Sequence, residues 1–63
     1  MKKKELKSLA VQIARAERTL QTSSDKKEIA NAQSEIMRLS NRVTSLEDLM
    51  LIDDLIQEEL KKF

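Results

Sequence analysis

The sequence predicts an all-α fold, a two-helix antiparallel hairpin with a short first helix and a long second one. The hairpin is expected to assemble further into a helical bundle or coiled coil. Three observations lead there. The chain has 63 residues and neither Gly nor Pro, whereas strand turns lean on Gly-containing pairs. Strong helix formers fill much of it. Its apolar residues recur at spacings of three and four, but the last stripe points in a different direction from those before it.

The first helix is expected at about 3–22. Leu6, Leu9, Ile13, Ala16 and Leu20 form one narrow seam, which suits coiled-coil-like packing. A turn is expected at about 23–25, where Ser23, Ser24 and Asp25 follow Thr22. These residue types favour helix N-caps, because their side-chain oxygens accept from free backbone N–H groups. Asp25 with Glu28 three positions on resembles a capping box.

The second helix is expected at about 26–62, so residues 1–63 form a single helical-hairpin domain. Ile29, Ala32, Ile36, Leu39, Val43 and Leu46 continue the seam. Two registers against the first helix fit the pattern. One sets Leu6 on Val43, Ile13 on Ile36 and Leu20 on Ile29. The other sets Leu6 on Leu46, Ala16 on Ile36 and Leu20 on Ala32.

Beyond Leu46 the stripe moves to Leu49, Ile52, Ile56, Leu60 and Phe63. At ~100° per residue this face is turned by roughly 120° from the previous one. Helix drift against a heptad, ~20° per seven residues, accounts for less than half of that. A short first helix cannot cover this tail. Leu46, Leu49, Ile52, Ile56, Leu60 and Phe63 are therefore the expected oligomer or partner interface, since large exposed apolar patches mark interaction sites. Asp53, at the edge of the stripe, is the candidate polar specificity contact. The plan of a two-helix protomer completed by dimerisation is similar to that of the small plasmid RNA-binding Rop family. That likeness is one of architecture, with no residue motif behind it.

Composition narrows the function classes. There is no Cys and no His, which removes disulfides and the commonest metal ligand and general base. Without Gly, no phosphate-cradling loop can form. No enzyme, cofactor or metal site is expected. Asp53, Asp54, Glu58 and Glu59 read as a solvated acidic face. The N-terminal Lys2, Lys3 and Lys4 resemble the start of a signal peptide, but Glu5 and Lys7 interrupt any apolar core. No run approaches the ~20 apolar residues of a membrane span. A cytoplasmic protein without membrane contact is the expectation.

Net charge is +1, but it is polarised. Residues 1–22 carry six Lys or Arg against two acids, and residues 47–63 carry six acids against two Lys. Such asymmetry can pair chains or address a charged partner. The leading expectation is a small oligomerising helical interaction or scaffold module. Its partner is itself, as a homodimer or higher bundle, or a larger protein that docks the C-terminal helix. The alternative is a dimeric nucleic-acid-binding regulator, with Lys2, Lys3, Lys4, Lys7, Arg15 and Arg18 as phosphate contacts. It lacks the aromatic residues of a base-stacking platform.

Overall fold

Residues 2–62, those described by the computed structural model, form three helices. They are α1 (Lys3–Thr22), α2 (Lys26–Ser40) and α3 (Leu46–Lys61). The all-α class and the bounds of α1 are as expected, but α1 is the longest of the three described helices and not the short arm of a hairpin. The single long second helix is not formed, because the chain breaks between Ser40 and Leu46.

The first turn is built by side chains in place of glycine. The Asp25 carboxylate accepts from Lys27 N at 2.9 Å, which caps α2. Glu28 does not reach back to Asp25. Its carboxylate accepts from Ser23 Oγ at 2.6 Å, and Ser23 Oγ in turn accepts from Asp25 N at 3.2 Å. The Ser23 N–H donates to Thr19 O at 2.9 Å and closes α1. No described residue has a positive φ, so the turn is made without a left-handed residue.

The second break lies where the apolar stripe changes direction. Arg42 N and Val43 N donate to Leu39 O and Ser40 O at 3.2 and 3.1 Å, three residues back in each case, which tightens the end of α2. Val43 is buried within the connection. Ser45 is extended, and Leu49 N donates to its carbonyl at 2.9 Å to start α3. Glu47 and Asp48 then place negative charge in the first turn of α3, where the helix dipole favours it.

Breaking the helix redirects α3 onto α1. Ile52 and Ile56 become buried at 5% and 8% exposure, in one cluster with Leu6, Leu9, Ala10, Ile13, Ala14, Leu39 and Val43. A continuous helix would leave those two isoleucines in water. Burying them is worth roughly 3–6 kcal/mol in all.

The central helix is α1. It packs against α2 and against α3, while the Cα atoms of α2 and α3 stay more than 8 Å apart. Its buried residues Leu6, Leu9, Ala10, Ile13, Ala14 and Ala16 cover an arc of roughly 160°, wider than the narrow seam expected from sequence. Ala10 and Ala14 are fully enclosed. Leu6 and Val43 share the core, whereas Leu46 is 74% exposed. A three-helix protomer thus stands in place of the two-helix, Rop-like one.

Candidate interaction surface

The expected interface residues fall into separate environments. Ile52 and Ile56 lie inside the protomer, held against α1, and are not available to a partner in this fold. Leu60 is half-buried and packs on the same core. Leu46 and Leu49 are exposed. Phe63 lies outside the described residues. The premise that nothing within the chain covers the tail fails for its centre, because the break at 41–45 turns that centre inward.

Other apolar residues replace those lost to the core. Met50 and Leu51 are 66% and 50% exposed. The exposed residues occupy two flanks of α3, separated by the buried ridge of Ile52 and Ile56 on one side. Leu46, Leu49 and Met50 lie on one flank. Leu51 and the half-buried Leu55 lie on the other. On α2, Met37 stands alone at 67% exposure.

The Leu51 flank forms a groove with α1 of about 330 Å³, lined by Lys3, Leu6, Asp48, Leu51, Asp54, Leu55 and Glu58. Its floor is leucine and its rim is charged. Along α3, Leu51 and Leu55 form one i, i+4 row and Asp54 and Glu58 form another beside it. Asp54 and Glu58, expected as part of a solvated acidic face, thus border an apolar row that the sequence places off the main stripe. A second, more polar groove of about 380 Å³ runs between α1 and α2, with Arg15, Glu28 and Glu35 on its walls and Ala16 and Ala32 at its base.

The candidate phosphate contacts Lys2, Lys3, Lys4, Lys7, Arg15 and Arg18 are all exposed. Those within α1 occupy one flank of it, an arc of roughly 120°. Lys3 faces the carboxylates of the groove, and Arg15 faces Glu28 and Glu35. Asp53 is exposed and closes no ion pair among the described residues. Glu59, on the same helix, is held by Lys62 at 3.1 Å. No group of three or more acidic, His or Cys side chains among the described residues could hold a metal ion.

No protein-family model matches the chain, and neither does any curated protein or solved structure. The surface must be read from its own chemistry. Among the described residues no polar or charged side chain is buried, so no enclosed polar site exists there. No described helix is long and apolar enough to cross a membrane. What the surface offers is amphipathic, apolar rows flanked by charge.

Proposed function

We propose that this chain is a small self-associating helical module whose role is protein interaction or scaffolding. The observation behind this reading is surplus surface. The protomer exposes 4941 Å², against about 4,200 Å² for a compact monomer of this mass. The surplus is close to the ~800 Å² that each partner contributes to a standard interface. Leu51 of α3, half-exposed beside the α1 groove, is a residue that a lone soluble domain gains nothing by exposing.

Sedimentation equilibrium of the full chain across the micromolar range tests the proposal. A dimer or higher oligomer is the expected result. A monomer throughout that range refutes self-association.

The exposed basic flank of α1 favours a second reading, a dimeric nucleic-acid-binding regulator. It is the weaker one. Lys3 shares its groove with three carboxylates, which would repel a phosphate backbone. Purified protein with no nucleic-acid absorbance at 260 nm, and no binding to a random-sequence duplex at low salt, would remove it.

A further inference from the structure

We propose that the occupant of the α1–α3 groove is a second copy of this chain, docked so that Lys3 of each copy meets Asp54 and Glu58 of the other. The inference rests on the self-association reading and names the surface that carries it.

The groove has a leucine floor with opposite charges on its two walls. Lys3 stands on the α1 side, and Asp54 and Glu58 stand on the α3 side. Among the described residues none of the three closes an ion pair within the protomer. Each is also in an unfavourable local setting. Lys3 sits in the first turn of α1, where the helix dipole disfavours a cation. Asp54 and Glu58 are like charges at i, i+4, which repel. A surface that brings an anion to the first and a cation to the second relieves both.

A twofold pairing supplies this from one molecule. In such an interface residue i meets j and j meets i. Asp48, the third carboxylate of the lining, already has a partner, which leaves one lysine and two carboxylates, with leucines between, to pair reciprocally in that arrangement. Leu51, half-exposed in the protomer, would then meet its own copy at the centre. A purely cationic partner would satisfy Asp54 and Glu58 but set like charge against Lys3. The surplus surface also matches one partner's share of a standard dimer.

The test uses the full chain and charge exchange, followed by sedimentation equilibrium, with far-ultraviolet circular dichroism to check that each variant keeps its helices. Lys3→Glu is one variant, and Asp54→Lys with Glu58→Lys is the other. Each alone should weaken association roughly tenfold, because symmetry makes every substitution count twice. An equimolar mixture of the two should recover wild-type affinity, since every contact between unlike copies is then attractive. Leu46→Gln, on the opposite flank of α3, should leave association unchanged.

A wild-type protein that stays monomeric overturns the reading on which this rests, and the proposal with it. Wild-type association that both charge variants leave intact overturns the groove alone. So does a mixture no tighter than its components, or loss of association in Leu46→Gln. Saturable binding of a Leu/Lys amphipathic peptide by a chain that remains monomeric would assign the groove to a cationic partner instead.

Discussion

Ala16 and Ala32 share the base of one groove, each only 6% exposed, so α1 and α2 pass there with a methyl group on either side. Helix separation follows the size of the side chains at the contact. Ala32→Leu would add three heavy atoms at the base of that groove, against Ala16. We expect a loss of about 1–3 kcal/mol, read as a lower urea midpoint by circular dichroism. A variant as stable as the parent would mean that the helices stand further apart than described.

Ile52→Ala should cost about 2–5 kcal/mol, the range for large-to-small core changes. A domain of this size holds only ~0.05–0.15 kcal/mol per residue in total, so the variant should lose a large share of its stability and unfold at a clearly lower urea midpoint. Met50→Ala, two positions away and exposed, should stay within about 0.5 kcal/mol of the parent. Equal effects at the two sites would contradict the inward placement of Ile52.

Asp25→Ala removes the one side-chain cap among the three described helices. The expected cost is about 0.5–2 kcal/mol. Asp25→Asn should keep most of that stability, because the amide oxygen can still accept from Lys27 N. Thermal unfolding of the pair separates the loss of a hydrogen bond from the loss of a charge.

Amide hydrogen exchange should divide the chain at the second break. Neither Thr44 N nor Ser45 N donates to a backbone oxygen among the described residues. Their exchange is expected to be fast, between protected stretches in α2 and α3. Uniform protection from Met37 to Leu55 would restore the continuous helix.

Much of the fold was legible from spacing alone. The bounds of α1 and the Asp25 cap follow from periodicity and from the chemistry of short polar side chains. The break at 41–45 is also written in the chain. Along one continuous helix, the roughly 120° shift of the apolar stripe implies an uncovered face. Physically it is the mark of two helices, each turning its own face to a common neighbour. Ser45 with Asp48 three positions on, ahead of an apolar run, has the form of a helix start, and the adjacent β-branched Val43 and Thr44 are poor in a helix interior. The Ser45 side chain makes no cap hydrogen bond, so that local signal is weaker than the one at Asp25. Ala10 and Ala14 were overlooked because alanine suits an exposed helix position and a close helix contact equally well. The groove went unseen because it joins Lys3 to Asp54 across nearly the whole chain, and no local pattern links them.

That the Cα atoms of α2 and α3 stay apart, with α1 between them, has an energetic corollary. Exposed substitutions in α2 and in α3, which share no packing partner, should have additive effects on stability, whereas core pairs such as Leu39 and Ile52, in one cluster, should couple. So should core pairs that include α1. The same branching lets α3 detach as a unit while the α1–α2 hairpin stays closed, a partial opening below the global unfolding free energy. In that open form Ile52 and Ile56 are displayed on a mobile arm, and the flank of α1 they vacate is bare. Two such molecules could exchange arms. Domain-swapped dimers at high concentration are the expected outcome of such an opening.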